Sequence, residues 1–135
     1  MDLEILKIAS KTDNIKIIDN YTHFSKYKNK LCGDLIEIHL IINNNIIKDF
    51  AYQTKSCVLC QASASLLSKA AKNKSIKNIK HFHKLLIFSF QNDKIKLPVE
   101  WSIFKKLAKT KYYARKECIE LPFKALNKAI MDNDD

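Results

Sequence analysis

The chain has almost no glycine: Gly33 is the only one in 135 residues. Its turns must therefore rest on Asn, Asp and Lys, and the single glycine is expected where a Cβ cannot be tolerated. Proline is nearly as scarce, at Pro98 and Pro122, and arginine is reduced to Arg115 among 24 basic residues. Long apolar runs are missing too. Stretches such as Leu85-Leu86-Ile87-Phe88 fall far short of the roughly 20 residues that span a bilayer, so a soluble protein with no membrane partner is expected. The acidic opening Met1-Asp2-Leu3-Glu4 shows no secretory leader pattern. With four cysteines, this predicts a cytoplasmic protein whose thiols serve as ligands or nucleophiles rather than cross-links.

A chain of this length suits one domain, able to bury about two thirds of its unfolded surface without disulfides. The net charge of +10 would suggest nucleic acid if arginines and aromatics clustered with it. Here the lysines are scattered from Lys7 to Lys128, with no basic aromatic ribbon and no helix-turn-helix pattern. Nucleic acid is not expected as a partner. The charge predicts a solvated basic surface or a docking face for an acidic protein.

Residues 1–31 read as a loosely packed lead-in: Leu3, Ile5, Leu6 and Ile8 start a short helix, Lys11-Thr12-Asp13-Asn14 interrupts it, and residues 20–31 are polar and lysine-rich. From Leu35, the alternation of Ile36, Ile38, Leu40 and Ile42 with Glu37, His39 and Ile41 predicts a half-buried strand. Asn43-Asn44-Asn45 turns the chain, because Asn tolerates the left-handed conformation a hairpin needs, and Ile46 to Gln53 returns as the partner strand. Cys57 to about Lys72 favours helix, with Leu59, Ala62, Leu66 and Ala70 on one face. Residues 76–91 fit either helix or strand. Pro98 precedes a helix through Trp101, Phe104 and Leu107. A last helix begins near Cys118, with Pro122 acceptable only in its first turn, and it buries Phe123, Leu126 and Ile130.

Cys57 and Cys118 thus enter helix N-termini, where unpaired N–H groups and the helix dipole favour thiolate. With Cys32 and Asp34 beside a strand start, three sulfurs and a carboxylate could converge on a tetrahedral site for zinc, or for iron with sulfide. A hard oxygen among soft sulfurs makes such a site easier to open, which suits a carrier. Arg115, three positions before Cys118, can stabilise a thiolate or bind a partner carboxylate. The alternative is a thiol–disulfide oxidoreductase using Cys57-x-x-Cys60 at the helix start, which leaves Cys32, Gly33, Asp34 and Cys118 without a role. Cys60 also fits simple packing. His81 and His83 have no matching ligand pair, and Trp101, Tyr112 and Tyr113 read as packing residues.

Three motifs occur in order: Leu31-Cys32-Gly33-Asp34, then Ser56-Cys57 followed by Gln61-Ala62-Ser63-Ala64-Ser65-Leu66-Leu67, then Ala114-Arg115 with Cys118 and Leu121-Pro122-Phe123. Together they resemble the IscU/NifU/SufU family of iron–sulfur cluster assembly proteins, over a scaffold domain at 32–131 with an acidic tail at 132–135. The resemblance implies an α+β single domain: a small antiparallel sheet with helices packed on one face and a metal site at one end. It implies a cysteine desulfurase and downstream cluster-assembly or recipient proteins as partners, zinc or iron as the metal, and a transient iron–sulfur cluster. Such a protein is a scaffold or carrier, zinc-dependent sulfurtransferase activity being its one enzymatic role. Carried over residue by residue, the metal ligands fall on Cys32, Asp34, Cys57 and Cys118, with the three cysteines holding a cluster. Cys60 falls where the family often has Ser, Gly or Ala. Glu117 stands where the IscU branch has a histidine, and the stretch from Ser65 to Cys118 carries an insertion that branch lacks. Both point to the SufU-like branch. Family members divide between cluster scaffolds and zinc-bound sulfur acceptors. Glu117 leans toward the latter, with Cys118 as the sulfur-accepting thiol and Arg115 in support.

Overall fold

The computed structural model describes residues 2–133. Helix α1 (Leu3–Ala9) is followed by strands β1 (His23–Lys28), β2 (Leu35–Asn43) and β3 (Ile46–Lys55), then helices α2 (Val58–Ala70) and α3 (Ile76–Ser89). Two 3₁₀ segments, Val99–Lys106 and Thr110–Arg115, lead into helix α4 (Lys116–Asn133). Asp134 and Asp135 of the expected acidic tail lie outside the described residues, and Asp132 and Asn133 end α4.

The strands form one antiparallel sheet in the order β1-β2-β3. Ile36, Ile38 and Leu40 point from β2 into the core, where they are fully buried with Phe50, Leu67 and Phe123. Each such side chain contributes about 1.5–3 kcal/mol on leaving water. The β2–β3 turn is the expected one: Asn44 and Asn45 both have positive φ, 54° and 61°, and Asn43 pairs with Ile46 across a two-residue loop. The ambiguous stretch at 76–91 is helix α3, capped by Ser75 and burying Ile79, Phe82 and Leu86 at helical spacing. Phe82 stacks on Trp101 with ring centroids 4.2 Å apart, and the Trp101 indole N–H donates to Asn78 at 2.8 Å. Trp101 is a core residue, as expected.

Three expectations need correction. Residues 1–31 are not a loose lead-in. They contribute β1, which pairs with β2 from His23↔Leu40 to Lys28↔Leu35, and they bury Ile5 and Ile18. Strand β1 hides from the period-two test because its buried positions include His23 and Ser25; the Ser25 hydroxyl is satisfied by donating to the Ala125 carbonyl on α4 at 2.6 Å. The segment after Pro98 is a 3₁₀ segment rather than an α-helix. Pro122, finally, lies in the second turn of α4, beyond the first-turn limit. Its missing N–H leaves the Cys118 carbonyl without the usual i→i−4 donor, so the ladder opens at the cysteine.

Candidate metal centre

The β1–β2 connection is drawn tight by three hydrogen bonds around Asn29. Its carbonyl accepts from the Gly33 N–H at 2.8 Å, its own N–H donates to the Asp34 carbonyl at 2.8 Å, and its side chain accepts from the Leu31 N–H at 2.9 Å. Sequence reading missed Asn29; an Asn opening a lysine-rich turn was its only signal. Gly33 adopts φ +76°, and a Cβ built there meets nothing within 4 Å. The glycine is therefore required for its left-handed backbone and not for want of space, which corrects the expectation. This turn holds Cys32 exposed at its tip and sends Asp34 inward.

Cys32, Asp34 and Cys118 converge, each offering a ligand atom within 4.8 Å of the others. Cys118 is brought in by α4, which is tied to α2 next door through the Ser63 hydroxyl donating to the Ile119 carbonyl at 2.6 Å. Cys57 caps α2, and its N–H donates to Asp34 Oδ1 at 3.2 Å. Its thiol hydrogen-bonds with Cys118 and with Arg115 but stands outside the three-atom set. The second Asp34 oxygen, Oδ2, is buried with no hydrogen-bond partner among the described residues. An orphaned carboxylate oxygen beside converging thiols is costly unless a cation or proton joins it, and the soft sulfurs fit zinc or iron.

The thiols differ in state. Burial pushes the Cys118 thiol up to about 12; it outweighs the opposing hydrogen bond from Arg115, and the Cys57 contact adds to its effect. The helix start expected to favour thiolate at Cys118 does not offset this burial: without a cation the thiol holds its proton. Arg115, on the surface, has its own pKa raised, first by the hydrogen bond to Cys118 and then by Cys57. Cys60 is fully buried, and desolvation pushes its thiol up to about 12 although Ser56 and Thr54 hydrogen-bond to it. That state does not favour the oxidoreductase alternative, which needs a low-pKa accessible thiol. Glu117 pairs with Lys124 at 2.8 Å. His83 pairs with buried Glu120 at 3.0 Å, and His81 is exposed; neither joins the thiols. No helix among the described residues is long and apolar enough to cross a membrane.

The family model of the NifU-like N terminal domain matches residues 5–133. The zinc-dependent sulfurtransferase SufU of Bacillus subtilis is 27% identical over 103 residues, covering 76% of this chain and 70% of SufU. The iron–sulfur cluster assembly scaffold protein IscU of Thermotoga maritima is 38% identical over 50 residues, 37% of this chain and 35% of IscU. Among solved structures, the N-terminal part of a NifU-like protein from Brucella abortus superposes with a TM-score of 0.89 at 20% identity, covering 98% of this chain and 93% of that one. That likeness carries the fold: the α+β single domain with a three-stranded antiparallel sheet.

Proposed function

Because the chain belongs to the NifU-like N-terminal domain family, the family of iron–sulfur cluster assembly scaffolds, we propose that it accepts sulfur from a cysteine desulfurase at a centre made by Cys32, Asp34, Cys57 and Cys118. The observation that carries this reading is the convergence of Cys32, Asp34 and Cys118 around a carboxylate oxygen that has no hydrogen-bond partner among the described residues. Zinc, or iron, is the metal these donors suit, with Cys57 closing on the set from the α2 cap. Bound there, the metal supplies a positive charge that lets buried thiols ionise. An iron–sulfur cluster is then the cargo that the cysteines hold and pass to recipient proteins. Free thiols on this scale suit the reducing cytoplasm.

The sequence points to Cys118 as the accepting thiol, but the exposure pattern supports Cys32. Cys118 is 4% exposed and held by Arg115 and Cys57, whereas Cys32 stands exposed at the turn tip. In the step we assign, the Cys32 thiolate attacks the outer sulfur of the desulfurase persulfide. The sulfur–sulfur bond of the donor breaks, its cysteine leaves as thiolate, and Cys32 becomes the persulfide, with no external oxidant or reductant. Arg115 is the positioning residue, keeping Cys57 and Cys118 in place while Cys32 reacts. Mass spectrometry after incubation with desulfurase and cysteine tests this: a +32 Da adduct, about one sulfur, should appear on the Cys32 peptide and vanish in Cys32→Ser. An adduct confined to Cys118 restores the first choice, and none on any cysteine removes the reading.

A further inference from the structure

Five lysines lie on the segments that carry the thiols, and the acids nearest them are engaged by other groups. Lys30 lies in the tight turn beside Cys32, Lys28 and Lys55 flank Leu35 on the neighbouring strands, and Lys111 and Lys116 belong to the segment that delivers Cys118. Many other lysines are paired, as in Lys26–Glu37, Lys72–Asp49, Lys106–Glu4 and Lys128–Asp132. Among the described residues no ion pair engages the five. The acids within reach are committed, Asp34 to the buried centre, Glu117 to Lys124, and Glu37, which lines the same depression as Lys55, to Lys26. Leu31 rises from the same turn at 90% exposure, and Tyr113 is half exposed under Lys116, whose Nζ sits 4.0 Å from the ring centre. A surface depression of about 350 Å³ beside the turn is lined by Lys26, Leu35, Glu37, Gln53, Thr54 and Lys55.

Like charges gathered without counter-charge repel one another, and a partner of opposite sign relieves that repulsion while being steered to the site. We propose that this lysine rim, with Leu31 at its centre, docks an acidic protein face, and that the face belongs to the sulfur donor. The inference rests on the reading of the thiols as sulfur acceptors. It adds the chemistry of the partner surface: carboxylates arranged around the donor's persulfide, with an apolar recess for Leu31.

The test is cysteine turnover by the desulfurase of the same organism, measured against concentration of the full chain. Lys30→Glu/Lys55→Glu/Lys111→Glu should raise the half-saturating concentration at least about tenfold in dilute buffer, and the gap should close in about 0.5 M salt. The control is Lys77→Glu/Lys80→Glu/Lys84→Glu on α3, which alters net charge equally. Ile76 donates to the Asn45 carbonyl at 2.9 Å, placing that helix start at the hairpin end of β2, about 30 Å along the strand from Asp34. The control should shift by less than about twofold. Gln replacements at the rim should give a smaller loss of the same sign, and they carry the test if the Glu variant does not fold. Equal losses in rim and control variants, or none in the rim variant at unchanged metal content, overturn the proposal. So does a rim that binds a short RNA while desulfurase activation ignores the substitutions. A wild-type chain that never stimulates the desulfurase fails the functional reading itself, a distinct result.

Discussion

Asp34 divides its work between its two oxygens. Oδ1 accepts from the Cys57 N–H and so fixes the α2 cap, while Oδ2 has no hydrogen-bond partner among the described residues. Asp34→Ala should leave the chain folded and metal-binding through the remaining thiols, but slow transfer to an acceptor apo-protein at matched loading, because the labile oxygen ligand is gone. Undiminished transfer would return Asp34 to a capping role. Cys60 permits a second test. Its thiol and the Tyr52 hydroxyl are both pushed up to about 12, burial being the first cause in each. The folded values lie above the unfolded ones, about 8.5 and about 10. The stability they contribute is therefore fully present below about pH 8.5 and is lost as pH rises toward about 12. Urea midpoints should fall over that window, and Cys60→Ser should flatten the fall between about pH 8.5 and about pH 10 without reducing bound metal. A steeper fall in the variant would contradict the burial argument.

At the scale of elements, legibility followed how each one satisfies itself. Strand β2 announced itself because Ile36, Ile38 and Leu40 alternate toward the core, and the hairpin because asparagine is the residue, short of glycine, that accepts positive φ. Strand β1 did not, since its inward Ser25 is satisfied by an α4 carbonyl that sequence cannot bring near. The ligand turn was legible in Cys32-Gly33-Asp34 but not in Asn29, whose three hydrogen bonds shape it. Nor could sequence rank the thiols, because exposure of Cys32 and burial of Cys118 depend on how the β1–β2 turn meets α4. Two backbone substitutions follow. Asn45→Ala should destabilise the chain by about 1 kcal/mol through its left-handed φ, whereas Asn45→Gly should be neutral or better. Gly33→Ala should cost a similar amount, with no clash to relieve, and should also weaken metal binding by shifting Cys32 against Asp34. Chemical denaturation and metal content separate the two effects.

For the whole molecule, the proposed metal site predicts that metal binding and folding are coupled. The centre proposed above draws on the β1–β2 turn, the start of α2 and the start of α4, so a metal bound there would tie sheet to helices. Zinc should therefore raise the melting temperature, with about 4 kcal/mol gained when free metal exceeds its dissociation constant a thousandfold. Cys118 holds its proton in the metal-free chain, so metal must displace it. Apparent affinity should rise with pH, by about tenfold per unit for each proton released; a flat profile would mean that Cys118 is not a ligand. The donor set itself is read by X-ray absorption at the zinc edge on anaerobically loaded protein. We predict about three sulfurs at about 2.3 Å and one oxygen at about 2.0 Å per zinc, unchanged in Cys60→Ser and short of one sulfur in Cys118→Ser. A four-sulfur shell that loses a sulfur in Cys60→Ser, or a chain that takes up no zinc or iron, would contradict the centre described.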